Sequence, residues 1–322
     1  MRKKWSNPFD KNPISCCYPY ISFPYSIVHA HSGDEYQKWL CGKYINCYFK
    51  PQSVRHKFIN SVYDGWSTVQ KIFFYQGFNL SKEMLKTLRI DIPFIIKKAI
   101  LDGAYPYGQC SERFVFPGHD ISEDTYFDYI LTGFDDIRKI FFMTGFSIEH
   151  GYRHLEISYS DYVQSLYQNS KKHIVIHLWK YNPNAEYRVD LKVISRDLED
   201  YLCSKNSITQ YEDGRLFGLC ACSALGEYIT QGESVGDSAL PLYLRGYWEH
   251  KYFMNERIRY LAEENMICNT AIAFAEQVLQ LAEQVKVADN GIWIQNLIQE
   301  SIAIEQVYLP QVLANVRANT VQ

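Results

Sequence analysis

Two runs near the middle of the chain decide the fold class: Phe127–Phe134 (FDYILTGF) and Lys139–Phe146 (KIFFMTGF). Both are short and rich in aromatic and β-branched residues. Asp135-Asp136 begins a turn between them, so together they predict an antiparallel hairpin. Downstream, His173–Tyr181 (HIVIHLWKY) sets Ile174, Ile176 and Leu178 against Val175, His177 and Trp179, the alternation of another strand. Upstream, Ala104–Tyr107 and Arg113–Phe116 read as β, followed by a Pro117-Gly118 turn, and Lys43–Lys50 (KYINCYFK) has strand character.

Helices stand between these strands. Ile92–Leu101 (IPFIIKKAIL) has proline in its first turn, apolar residues at helical spacing, Lys97 and Lys98 near its end and Gly103 after it. Ser81–Leu88 has Ser81 as cap and Glu83 in the first turn; Ser158–Gln168 is led by Ser158 or Ser160; Asp34–Gly42 is a short helix with Ser32 or Asp34 near its cap. Residues 1–25, rich in Pro, Ser and Tyr, read as irregular. After Pro183 the pattern becomes helical: Leu191–Cys203, Phe217–Ile229, then nearly everything from Leu240 on. Ala271, Ala275, Val278, Ala282 and Val285 step by three and four, Gly291 breaks the chain, and Trp293–Leu309 runs until Pro310. The expectation is an α+β chain in two domains, a mixed part over 1–182 and a helical part over 183–322.

Composition narrows the function. The chain has 322 residues, 47% of them hydrophobic and 21% charged, enough to build a packed core. A net charge of −3 gives no basic excess that would attract nucleic acid or an anionic membrane. The start, MRKKWSNPFDKNPISCCYPY, is basic but lacks the apolar stretch of a signal peptide, and no run of about 18 apolar residues follows anywhere, so the expected location is the cytoplasm. Nine scattered cysteines read as reduced thiols rather than a disulfide framework. Cys220-Ala221-Cys222 is too close-set for a zinc knuckle, and neither a glycine-rich phosphate loop nor a GxSxG or HExxH motif occurs, so no cofactor or metal is expected.

The order of several segments carries a resemblance. LDGAYPYGQCSERFVF (101–116) with Pro117-Gly118 is followed by DYILTGFDD, KIFFMTGF and ISYSDYVQSLY. WLCGKYINC (39–47) precedes them; RVDLKVISRDLEDYLCSKN (188–206) and YWEHKYFMNERIRY (247–260) come after. This series, over most of residues 20–260, resembles the N-terminal-domain family of butirosin biosynthesis protein H. That family is found in nonribosomal-peptide-type gene clusters and is similar to papain-like and C39-type cysteine peptidases. The resemblance implies a papain-like antiparallel sheet packed with helices over 1–182. It also implies a carrier-protein thioester or peptide intermediate as partner, and in some members acyl transfer to an amine.

Such a site needs a thiolate at a helix start, an imidazole to shuttle the proton and a carboxylate or amide to orient it. By the resemblance the thiol falls within Pro24–His31 (PYSIVHAH), where Ser26 and Ile27 stand. The imidazole falls at Phe127-Asp128, and the orienting acid near Thr144-Gly145. All three roles are vacant. The expected function is therefore a non-catalytic relative that binds a carrier-bound intermediate. The alternative is an acyltransferase working through a relocated cysteine.

Candidates for that cysteine are Cys17, Cys47 and Cys110, the last with His119 and Asp120 downstream. The plainer reading is a flexible Cys16-Cys17 pair, with Cys41, Cys47 and Cys110 as core residues. His29 and His31, with Asp34 and Glu35 beyond, have metal-ligand chemistry but read more simply as a polar loop; His173 and His177 read as structural. His250, Lys251, Arg257 and Arg259 suit a basic helix stripe that would meet the phosphate of a carrier's phosphopantetheine, against the alternative of a solvated face. The helical part, apolar on one stripe, suits a homodimer.

Overall fold

The computed structural model describes residues 3–53, 57–59, 72–116, 126–147, 151–168, 171–208, 214–231 and 237–320. In chain order its strands are β1 (Lys4–Ser6), β2 (Tyr48–Phe49), β3 (Phe58–Ile59), β4 (Phe73–Ser81), β5 (Ala104–Ser111), β6 (Tyr126–Asp135), β7 (Ile140–Ser147), β8 (Gly151–Ser158), β9 (His173–Tyr181) and β10 (Leu216–Phe217). The helices are α1 (Pro19–Ser32), α2 (Tyr36–Cys41), α3 (Lys82–Thr87), α4 (Ile92–Leu101), α5 (Glu112–Val115), α6 (Tyr159–Tyr167), α7 (Leu191–Leu202), α8 (Gly218–Thr230), α9 (Leu240–Glu263), α10 (Thr270–Val287) and α11 (Gly291–Thr320). The fold is α+β, an antiparallel sheet packed with helices and followed by a helical region. Among the described residues no helix is long and apolar enough to cross a membrane.

The chain divides into two compact units, Met1–Gly33 with Gly65–Glu186, and Asp34–Asp64 with Tyr187–Gln322. The boundary thus falls at 186/187 rather than 182/183. The segment 34–64, read from sequence as part of the first domain, belongs to the second unit. The reason is its pairing: α2 packs on α9, and β2 is the middle strand of a small sheet ordered β10-β2-β3.

The first unit is built on a seven-stranded sheet. Six strands run in the order β4-β9-β5-β6-β7-β8, and β1 pairs with β6. The predicted hairpin is its centre. Asp135 accepts hydrogen bonds from the amides of Ile137 (2.9 Å) and Arg138 (3.2 Å), and Lys139 takes a left-handed φ of 56°, which closes the β6–β7 turn. Capping sets the flanking helices. Ser81 Oγ accepts from Met84 N, Asp91 Oδ1 from Phe94 N and Ser158 Oγ from Asp161 N, each at 3.0 Å. One face of the sheet packs on α4 and α6 through Phe127, Tyr129, Leu131, Phe141 and Met143 against Ile96, Ile100, Tyr162 and Leu166.

Several expectations are corrected. Residues 19–25, read as irregular, lie in α1. Every residue from Ile21 to Val28 is buried, so the helix lacks the polar stripe that betrays a surface helix. Pro19 is tolerated in the first turn, and the hydroxyls of Ser22 and Ser26 donate to the carbonyls of Tyr18 (3.1 Å) and Ser22 (2.7 Å) on either side of Pro24. Arg113–Phe116 is not a strand: Glu112–Val115 forms one helical turn after β5. Strand pairing within Lys43–Lys50 is confined to Tyr48 and Phe49. Helix α11 continues through the exposed Pro310 to Thr320, because Leu309, Val312, Leu313 and Val316 extend its buried stripe. The Pro117-Gly118 turn lies outside the described residues.

In the second unit α11 packs against α7, α8 and α10, and α9 against α2 and α10. Asp190 caps α7 by accepting from the amides of Lys192 (3.0 Å) and Val193 (3.2 Å).

The closest packing in the first sheet is at Gly145. A Cβ there would lie 1.9 Å from Phe127 Cε1 and 2.7 Å from the Asp128 carbonyl. Gly145→Ala is expected to destabilise the protein by about 2 kcal/mol, in the range of overpacked cores. Gly42→Ala, where a Cβ meets open space, is expected to be close to neutral. Urea denaturation of the two variants checks this difference.

Candidate functional site

Helix α1 identifies the face of the first sheet on which a site can form. Its Phe23 ring meets Tyr107 at 5.8 Å and Tyr152 at 6.3 Å between centroids. Side chains alternate along a strand, so Gln109 shares the Tyr107 face. Register then extends that face: Gln109 pairs with Asp128, Asp128 with Phe146, Phe146 with Tyr152, and Thr144 with His154. The α1 face thus holds Gln109, Asp128, Thr144, Tyr152 and His154. The other face holds Cys110, Phe127 and Tyr129 in the α4–α6 core.

The resemblance would place a thiol within Pro24–His31, away from the start of α1. Pro24–His31 forms the middle and end of the helix, and buried Ser26 is about two turns past its first residue, Pro19. The residues directly before the helix are Cys16 and Cys17, with Tyr18 as the extended N-cap. Cys17 is buried and Cys16 half-buried; neither is in a disulfide, and both lie in the first unit. Burial pushes the Tyr152 phenol above its usual range, opposed by a hydrogen bond to Ser26 of α1 and aided slightly by Asp10 and Cys16.

At Phe127-Asp128, where the resemblance implies an imidazole, a carboxylate stands. Asp128 accepts a hydrogen bond from Gln109 Nε2 at 2.8 Å, and Gln109 Oε1 accepts from Lys171. Partial burial raises the Asp128 carboxyl above the ordinary value, opposed by Gln109 and Lys171. The imidazole on this face is His154, on β8. Its Nε2–H donates to the Lys11 carbonyl, which leaves Nδ1 to accept from the Thr144 hydroxyl at 2.7 Å. Burial lowers the His154 pKa, which favours the neutral ring, against the Lys11 carbonyl that favours the proton.

The other sequence candidates are dispersed. Cys110 lies in the core on the opposite face, donates to the Phe127 carbonyl at 3.7 Å, and is pushed far above the usual thiol range by burial. His119 and Asp120 lie outside the described residues. His29 bonds Asp10 at 2.9 Å, whereas His31 bonds the Tyr105 hydroxyl at 2.8 Å and stacks on Tyr181 at 4.3 Å. The two imidazoles therefore serve different partners. Among the described residues no group of three or more His, Cys, Asp or Glu side chains is placed to hold a metal. His177 bonds the Tyr75 hydroxyl.

In the second unit the basic stripe proposed for α9 does not reach solvent. His250, Lys251 and Arg257 are all at most 1% exposed. Arg257 donates to the carbonyls of Cys41 (2.7 Å) and Lys43, and His250 Nε2 to the Ile45 carbonyl at 2.9 Å. Lys251 lies 2.7 Å from Glu305 and 2.6 Å from the Tyr201 hydroxyl, which itself donates to Glu305 at 2.8 Å. Only Arg259 of the four is at the surface, paired with Glu276. Lys251 and Arg257, with the uncharged His250, hold the unit together and are not available to a phosphate. Cys47 is fully buried beside this cluster, its sulfur 3.9 Å from that of Cys222.

Sequence reasoning could have found Asp128, since alternation in FDYILTGF places it opposite Phe127. It had no signal for Thr144–His154, because β8 was not read as a strand. Nor did it have one for Tyr201, Cys222 and Glu305, which come from three separate helices. Compared with known proteins, the chain matches no protein-family model and no curated protein.

His250 gives a pH prediction. Burial first, then the charges of Lys251 and Arg257, hold its pKa well below 6.5 in the folded chain, against the Ile45 carbonyl that favours the proton. The unfolded chain takes up that proton below about pH 6.5, so stability is full above this pH and is lost as pH falls through the window beneath it. The contribution is expected to approach about 1.4 kcal/mol per pH unit. Urea denaturation of wild type and His250→Gln at pH 7, 6 and 5 measures it; the gap between them should narrow as pH falls.

Proposed function

We propose that this chain is a biosynthetic protein of the thiotemplate natural-product class. Its first unit is a cysteine-peptidase-like module that holds a carrier-bound acyl or peptide intermediate without cleaving it. The resemblance of the central segments to the butirosin biosynthesis protein H family supplies the pathway. The observation that carries the mechanism is β6: it turns Asp128, bonded to Gln109, toward α1 and packs Phe127 into the opposite core. A carboxylate in that place cannot act as the imidazole of a cysteine–histidine pair. His154, the neighbouring imidazole, spends both nitrogens on Thr144 and Lys11. What the face offers an acyl or peptide chain is amide, carboxyl and phenol groups beside aromatic rings, which suits hydrogen bonding and packing. Nine free thiols agree with a reducing cytoplasmic setting.

One observation favours the second reading, acyl transfer. Cys17 lies directly ahead of α1, at a helix start where a thiolate is stabilised. In that reaction Cys17 attacks the thioester carbonyl, the phosphopantetheine thiol leaves with a proton, and an amine then displaces Cys17 to form the amide.

Incubation with an acyl-pantetheine-loaded carrier protein separates the readings by calorimetry and intact-mass spectrometry. The expected result is saturable binding with no acyl adduct and no thioester loss above the protein-free rate. A stoichiometric adduct mapped to Cys17 would establish the second reading. Absence of binding would overturn both.

A further inference from the structure

We propose that Cys47 and Cys222 of the second unit form a reversible disulfide when the protein meets a hydroperoxide, Cys222 attacking and Cys47 resolving. The geometry is fixed by a junction at the start of α8. Gly218 N donates to the Cys47 carbonyl at 2.9 Å, and the Cys47 thiol points back to the Gly218 carbonyl at 3.6 Å. Gly218 has a φ of +54°, and a Cβ there would lie 2.0 Å from the Tyr201 carbonyl, so only glycine allows this approach. One helical turn further, Cys222 faces Cys47 with the sulfurs 3.9 Å apart. A bonded pair stands at about 2.05 Å, so the two sulfurs must draw closer for the bond to close.

The surroundings divide the labour between the two sulfurs. Cys222 has three polar neighbours: Lys251 Nζ, which donates to it at 3.8 Å, the Cys47 thiol at 3.9 Å and the Tyr201 hydroxyl at 3.8 Å. These lower its pKa, the Cys47 thiol most, against the cost of burial. Cys47 is pushed the other way, chiefly by burial. The Cys222 thiolate therefore attacks the peroxide. The O–O bond breaks, Cys222 becomes a sulfenic acid, and the departing hydroxide takes up the proton Cys222 had released. Cys47 then attacks the Cys222 sulfur. The S–S bond forms, the S–O bond breaks, and hydroxide leaves with the Cys47 proton as a second water. Two thiols are oxidised by two electrons and one hydroperoxide is reduced. The cross-link joins positions 175 residues apart and ties the residue directly before β2 to α8.

The test is a disulfide map of the whole folded chain. The reduced protein is treated with a few equivalents of hydrogen peroxide, alkylated in denaturant, digested and fragmented by tandem mass spectrometry. A Cys220→Ser background removes the exposed neighbour that shares a peptide with Cys222. The expected product is a Cys47–Cys222 peptide pair as the dominant cross-link, absent before oxidation and lost on phosphine reduction. In Cys47→Ser, dimedone should trap the Cys222 sulfenic acid. The proposal is overturned if, in wild type, Cys47 and Cys222 remain as alkylatable after peroxide as before it while exposed Cys203 and Cys268 are oxidised.

Discussion

The contact of Phe127 with Gly145 sets the register of β6 against β7, and the first unit depends on that register. Phe127 lies across the one residue on β7 that has no side chain to oppose it. Because alternation has a period of two, fixing Phe127 in the α4–α6 core also fixes Asp128 on the α1 face. A slip by one residue would drive a carboxylate into the core and an aromatic ring under α1. The packing constraint and the chemistry of the face are thus one fact: the residue type that fills the core at 127 decides that 128 is the position available for function.

The second unit shows the same coupling in a different medium. Its α9 carries cations into the interior, where each is met by a carbonyl, a carboxylate or a hydroxyl. Lys251 and Glu305 are a fully buried ion pair bridged by Tyr201. Such a pair adds little net stability by itself, yet loss of either member would strand the other's charge in the core. It therefore selects one packing of α7, α9 and α11. The same ammonium faces the Cys222 sulfur, so the group that makes the packing specific also shapes the thiol chemistry beside it.

What was legible in the sequence follows from how local each signal is. The β6–β7 hairpin, α4 and β9 were readable because period, caps and turn residues lie within ten residues of one another. Helix α1 was not, since its central positions are buried all round and two prolines interrupt the pattern. Strands β4 and β8 end the path of the sheet; Gly77 in one and Arg153, His154 and Glu156 in the other dilute the alternation. At the centre of the α1 face the alternation of FDYILTGF already separates Asp128 from Phe127; that 127–128 and 144–145 would hold an imidazole and an acid is only what the resemblance implies. The basic stripe failed because charge in a sequence does not report burial. The Cys47–Cys222 contact was invisible because the strand and helix that bring it together lie far apart in the chain.

The most direct measurement is a carbon-13 NMR titration of the Asp128 side-chain carboxyl, assigned by its loss in Asp128→Asn. With Asp128 half-buried beside Gln109, the expected midpoint lies above the ordinary value of 3.8. A midpoint at or below 3.8 would mean that burial does not dominate at Asp128, and would contradict the half-buried placement on which the proposed binding face rests.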